Sequence, residues 1–153
     1  MNKIKLKLYE FYNLEAELNG VVNQQSGEIL SKGLLSEKIK LTTKYWLTDL
    51  AKKVSAEKQS VEALKEDLIK KHGETDEQGV LFIPMYINIV KDEEGNTVSR
   101  EANPKFAEFQ NDFNALLNEE REVEYKSFKL QEFENVEAEG VYTTFFKLVE
   151  VGE

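Results

Sequence analysis

Residues 36–73 read SEKIKLTTKYWLTDLAKKVSAEKQSVEALKEDLIKKHG, and this stretch decides the fold. From Glu37 to His72 it holds neither Gly nor Pro, so nothing in it interrupts a helix. Ser36 is suited to cap the start and Gly73 the end. Lys70, Lys71 and His72 put cations in the last turn, where the helix dipole favours them. The spacing predicts one helix over 37–72. At 1.5 Å per residue such a helix is roughly 54 Å long. A compact chain of this size has a radius of gyration of only about 15 Å, so the helix is expected to protrude.

The apolar pattern says which half protrudes. Ile39, Thr43, Trp46, Leu50, Val54, Glu57, Val61, Leu64 and Leu68 alternate steps of four and three, the seam of a coiled coil with two polar interruptions. Around 37–51, Leu41, Tyr45, Leu47 and Ala51 add apolar surface away from the seam, which places that half inside a globular body. Beyond Lys52-Lys53 little but the seam survives. Residues 53–72 therefore read as a projecting arm with a single partner, on a chain that otherwise forms one domain over 1–153.

Working outward, Lys3-Ile4-Lys5-Leu6-Lys7-Leu8 alternates with period two, a strand with Ile4, Leu6 and Leu8 inward and lysines outward. Phe11, Leu14, Leu18, Val21 and Val22 recur at helical spacing and predict a helix over 10–23, ended by Gln24–Gly27 or earlier by Gly20. Residues 28–35 are a connector with Gly33 as its turn. After a polar loop at 74–79, Val80–Val90 reads as a strand in which Pro84 forces an edge or a bulge. Asp92–Asn96 is a turn and Thr97–Ser99 its return strand. Asn103-Pro104 caps a helix over 104–118, whose Phe106, Phe109 and Phe113 share a face expected to be core. Glu122–Lys126 alternates as a strand, with Phe128 and Leu130 in the opposite phase, so a bulge is expected near Ser127. Its acids suit pairing opposite Lys3, Lys5 and Lys7. The tail around 141–149 fits a helix by spacing and a strand by composition; the helix is the expectation.

Composition narrows the chemistry. The chain has 153 residues, 20 Lys plus Arg, 29 Asp plus Glu and a net charge of −9. Residues 1–73 carry 13 lysines and 10 acids, whereas residues 74–153 carry 7 basic and 19 acidic side chains. The overall sign argues against direct binding of duplex DNA or an anionic membrane. No apolar run approaches the ~20 residues that span a bilayer, and no signal-peptide core opens the chain, so a cytoplasmic protein is expected. Cysteine is absent, which leaves no disulfide and no thiolate site, and histidine occurs once, so any catalytic triad or His-based zinc site would have to run through His72 alone. His72 is read as a cation on the helix end rather than a base. Phosphate-binding glycine loops and calcium-loop spacing are missing. No catalytic residue, metal or cofactor is assigned, and the chain is read as a non-enzyme.

Two surfaces stand out. Lys38, Thr42, Tyr45 and Lys52, with Asp49 among them, fall near one line of the long helix. Basic, hydroxyl and aromatic groups together suit a phosphorylated or nucleotide ligand; the alternative is a face tucked under another element. Glu119, Glu120, Glu122 and Glu124, and Glu132, Glu134, Glu137 and Glu139, form acidic clusters that suit either mimicry of nucleic-acid charge or plain solvation. Along the arm, Val54, Val61, Leu64 and Leu68 form an apolar strip that a second copy would cover, so a homo-oligomer, dimer or higher, is expected.

Gly33-Leu34-Leu35 ahead of the long helix, Leu64–Gly73 at its end, Asn103-Pro104-Lys105-Phe106 and Leu116–Glu120 carry a resemblance over most of 3–149. The chain resembles an uncharacterised family of small tailed-bacteriophage proteins. The resemblance implies a phage origin and action in the cytoplasm of an infected bacterial host, and it carries over no functional residue. The fold expected is α+β, a long protruding helix packed on a shorter antiparallel helix with a small antiparallel sheet and a β-hairpin. The function expected is that of an accessory protein that binds and neutralises a host component, either a small nucleotide signal or a defence protein. The alternative is a virion or tail-assembly component.

Overall fold

The computed structural model describes residues 1–137 and 142–150. In chain order they form β1 (Asn2–Lys7), α1 (Leu8–Asn19), β2 (Gly20–Val22), β3 (Ile29–Lys32), α2 (Leu41–His72), β4 (Glu74–Thr75), β5 (Leu81–Phe82), β6 (Tyr86–Lys91), β7 (Thr97–Ala102), α3 (Pro104–Leu117), β8 (Glu120–Tyr125), β9 (Phe128–Lys129) and β10 (Val149–Glu150). Short 3₁₀ turns occupy Leu34–Ser36, Leu130–Phe133 and Phe145–Leu148. The strands pair two by two, in four antiparallel pairs and one parallel pair, β9 with β10. The class is α+β. The chain divides into two compact units, residues 1–59 with 118–153 and residues 60–117, with the division inside α2.

In the first unit β1 pairs antiparallel with β8 in the register that charge demands: Lys3 lies opposite Glu124, Lys5 opposite Glu122 and Lys7 opposite Glu120. Lys3 Nζ stands 3.7 Å from Glu122 and 3.6 Å from Glu124. The opposite faces turn Leu6, Val123 and Tyr125 inward, and they are buried together with Phe11, Leu14 and Leu18 of α1 and Leu47, Leu50 and Val54 of α2 as core residues. The phase change expected near Ser127 is real. Tyr125 and Phe128 are both buried with only Lys126 and Ser127 between them, and strand pairing stops across those two residues. Phe128 then stacks with Tyr125 and meets Phe133 and Phe145 at 5.4–6.4 Å between ring centroids.

Three boundaries differ from expectation. The first helix covers 8–19 rather than 10–23, because Gly20 takes φ +85° and opens a hairpin in which Val21 and Val22 are exposed strand residues. The long helix begins at Leu41, not Glu37. Ser36 does not cap it; its hydroxyl donates to Gly33 O at 2.6 Å and closes the 3₁₀ turn instead. The tail holds a 3₁₀ turn at Phe145–Leu148 and a two-residue strand in place of an α-helix. Val141 of that expectation and Glu139 of the acidic cluster lie outside the described residues.

In the second unit α2 and α3 run antiparallel side by side. Lys65 Nζ lies 5.4 Å over the Phe113 ring, and His72 meets Glu108 and Asp112 farther back along α3. Asn103 caps α3 as predicted: its Oδ1 accepts the Lys105 N–H at 3.1 Å, while its Nδ2 donates to Pro84 O at 2.8 Å. Pro84 splits the predicted strand into β5 and β6. Phe109 and Phe113 stack and Phe106 lies tilted against Phe109, but all three are half-buried, so they are not the closed core expected of them. Among the described residues of this unit Val61 is the sole apolar side chain in the buried class.

Candidate functional site

The first turn of α2 supplies one wall of a small cleft. Thr42, Thr43 and Trp46 face Lys126, Ser127 and Phe128, with Glu132 at the rim, around about 90 Å³. The cleft exists because β8 must break after Tyr125 to bury Phe128, and that break brings Lys126 and Ser127 over the start of α2. Lys126 Nζ sits 4.9 Å from the Trp46 ring centroid, a cation–π contact. Glu132 is fully engaged in building the wall: Oε1 accepts the Thr43 hydroxyl at 2.9 Å and Oε2 accepts the Lys129 N–H at 2.7 Å. Ser127 Oγ is shut off from solvent and meets no hydrogen-bond partner among the described residues.

The ligand face drawn from sequence is partly assembled. Thr42, Tyr45 and Lys52 lie on α2 and are exposed, with Tyr45 66% exposed, so this face is not tucked under another element. The Tyr45 ring stands edge-on to Trp46 at 5.0 Å and 86°. Lys38 falls out of the set. It precedes the helix by three residues, because the 3₁₀ turn and the segment after it occupy 34–40, so the helical line that joined it to Thr42 does not exist there. Asp49 is engaged with Lys53 at 3.1 Å. Of the four predicted residues Thr42 alone lines the cleft. Its other donors, Lys126 and Ser127, lie more than eighty residues away, beyond the reach of any helical period.

The apolar strip is corrected as well. Val54 is fully buried and Val61 only 2% exposed within the single chain, so neither is open to a second copy. Leu68 is half-buried, and Leu64 remains 48% exposed. The apolar side chains that do face solvent in the second unit come mostly from the strands and the residues beside them: Phe82, Ile89, Val90 and Val98 on strands, Val80 and Met85 next to them.

His72 lies between two carboxylates one helical turn apart, Nδ1 3.5 Å from Glu108 and Nε2 3.7 Å from Asp112, with its side chain 8% exposed. Among the described residues no group of three or more His, Cys, Asp and Glu side chains is arranged to hold a metal. Among the described residues no helix is long and apolar enough to cross a membrane.

Sequence reasoning missed one polar system entirely. Glu10, Glu17 and Glu37 are all buried, and each holds the C-terminal segment. Glu10 pairs with Lys147 and accepts the Lys7 N–H; Glu17 accepts the Phe145 N–H at 3.0 Å; Glu37 accepts the Tyr142 hydroxyl at 3.0 Å and the Glu137 N–H at 3.1 Å. The available signal was position: Glu10, Leu14 and Glu17 share the inward stripe of α1 at steps of four and three.

Comparison with known proteins finds no matching family model, no similar curated protein and no similar solved structure.

Proposed function

We propose that this chain is a non-catalytic bacteriophage accessory protein that binds and neutralises a host component in the infected cell, working as a homo-oligomer. The observation that supports a binding role is the second unit's surface, where the apolar side chains of Met85, Ile89 and Val98 are more than half exposed. Exposed apolar side chains gathered in one small unit suit protein–protein contact. The phage setting is supported by the resemblance of the sequence. A host protein is the partner proposed for this surface, and a nucleotide signal is the partner proposed for the cleft at α2.

The test uses tagged full-length chain expressed during infection and cross-linked in the cell, beside a Met85→Glu, Val98→Glu double variant of unchanged circular dichroism. A host protein captured by the wild type and lost from the double variant is the expected result. Presence of the chain at fixed stoichiometry in purified virions, with no host protein lost from the variant, replaces the reading with a structural role in the particle.

A further inference from the structure

We infer that the cavity bounded by α1, the β2–β3 hairpin and the residues just before the Phe145 turn binds an alkylammonium group, with the Glu17 carboxylate as its counter-ion. The cavity lies wholly in the first unit and shares no lining residue with the cleft at α2.

Its volume is about 390 Å³, toward the small end of the range for small-molecule sites. Ala16 and Val21 give it an apolar wall, Glu17, Ser31 and Thr144 a polar one, and no lysine, arginine or histidine lines it. Glu17 and Thr144 are 9% and 7% exposed, about nine-tenths buried. Neither is fully used. Glu17 Oε1 accepts the Phe145 N–H, but Oε2 and the Thr144 hydroxyl have no hydrogen-bond partner among the described residues. The unpartnered side-chain atoms that are closed off from solvent are His72 Nε2 and Ser127 Oγ. Glu17 Oε2 and Thr144 Oγ1 are not among them, so both oxygens remain within reach of a ligand, and both residues line the cavity.

What these oxygens lack is a donor. A carboxylate only accepts, and a largely buried carboxylate oxygen without a donor carries a desolvation cost that a cation offsets. Holding the Phe145 N–H takes one oxygen, so the fold leaves the second and the charge unspent. The cations nearby do not supply the need. Lys147 is close enough for its charge to feel Glu17, but its ammonium is given to Glu10. Lys32 follows Ser31 along β3, so its side chain points to the other face of the hairpin. The neighbouring acid on α1, Glu15, is paired with Lys58 at 3.2 Å. Among the described residues no cluster of three His, Cys, Asp or Glu side chains exists to hold a metal, and an apolar wall has no use for a bare ion. An alkylammonium brings three N–H donors for the oxygens of Glu17, Ser31 and Thr144, and a carbon chain for Ala16 and Val21.

Amide NMR titration of the full chain with butylamine, beside butanol as its uncharged match, tests the assignment. Butylamine is expected to shift the Ala16, Ser31 and Phe145 amides saturably at millimolar concentration and to bind at least tenfold more tightly than butanol. Glu17→Gln keeps an acceptor for the Phe145 N–H but loses the charge, and is expected to bring butylamine down to the level of butanol. Ser31→Ala is expected to weaken butylamine severalfold. Ser31 is half-buried on a short hairpin, so its variant stays informative even where Glu17→Gln fails to fold. Lysine capped at both ends separates the two sources of the group: affinity equal to butylamine assigns it to a partner's lysine side chain, weaker binding to a free amine. Absence of saturable shifts overturns the inference, as do equal affinities for butylamine and butanol. Butylamine binding that neither Glu17→Gln nor Ser31→Ala weakens overturns it too, since the acidic surface at large would then be the binder.

Discussion

Glu17 Oε1 accepts the backbone N–H of Phe145 at 3.0 Å, joining α1 to a 3₁₀ turn 128 residues later in the chain. Phe145 is 2% exposed, so its N–H has no access to water. Removing the acceptor leaves a buried donor unsatisfied, which costs about 1–3 kcal/mol. Glu17→Ala is expected to lose that much in urea unfolding, and Glu17→Gln less, since the amide oxygen still accepts. Equal stability of Glu17→Ala and wild type would show that the C-terminal turn is held by Phe145 and Leu148 packing alone.

Acid should act on the neighbouring pair. Burial pushes the Glu10 carboxyl up, but the Lys147 hydrogen bond, the Lys7 N–H and both lysine charges outweigh it and hold the group below its ordinary 4.5. Lys147 is raised above 10.5, chiefly by its hydrogen bond to Glu10. A lowered carboxyl contributes stability that is present above its unfolded value and lost as pH falls through the folded one. A raised lysine contributes stability that is present below its unfolded value and lost as pH rises through the folded one. The stability gap between wild type and Glu10→Gln is therefore expected to be full near neutrality and to close below about pH 4.5. Denaturant melts at pH 7 and pH 3 that give the same gap would sink this account.

Gly33 crosses the end of α1 at close range. A Cβ there would stand 2.4 Å from the Asn19 carbonyl carbon and 2.5 Å from both Gly20 N and Leu18 O, all backbone atoms that cannot swing aside. Gly33→Ala is expected to cost on the order of 2–4 kcal/mol, in the range of overpacked or strained sites. Gly27 meets nothing within 4 Å and differs only in its φ of +74°, so Gly27→Ala should cost about 1–2 kcal/mol. Thermal melts that rank the two the other way would contradict the close crossing.

What the sequence revealed follows from the range of the forces involved. β1 and β8 were legible because alternation and opposite charge act residue by residue, and Lys3 does face Glu124. The end of α2 was legible because Gly73 follows its last basic turn. Its start was not: Ser36 has the chemistry of a cap but spends its hydroxyl on Gly33 O, a choice made by the turn before it. Val54 and Val61 looked like an open strip because helical periodicity identifies an apolar face without saying what covers it. The cleft was half legible. Thr42 and Tyr45 carried a signal on α2, whereas Ser127 was visible only as a phase change in a strand, with nothing to connect it to α2.

Burial of Val61 also changes how the homo-oligomer must be tested. Val61→Glu would place a charge at a site 2% exposed and cost several kcal/mol of folding, so a monomer obtained that way would say nothing about association. Leu64 is 48% exposed and can take a charge with the fold intact. Each large apolar side chain buried between copies contributes about 1.5–3 kcal/mol. Several per chain offset an association cost of roughly 4–15 kcal/mol. Leu64→Glu is thus expected to keep the wild-type circular dichroism and to shift light scattering at micromolar concentration toward one chain, 17.7 kDa. A wild type that already scatters as a single chain ends the idea. An oligomer that survives this charge moves its interface off the strip that holds Leu64.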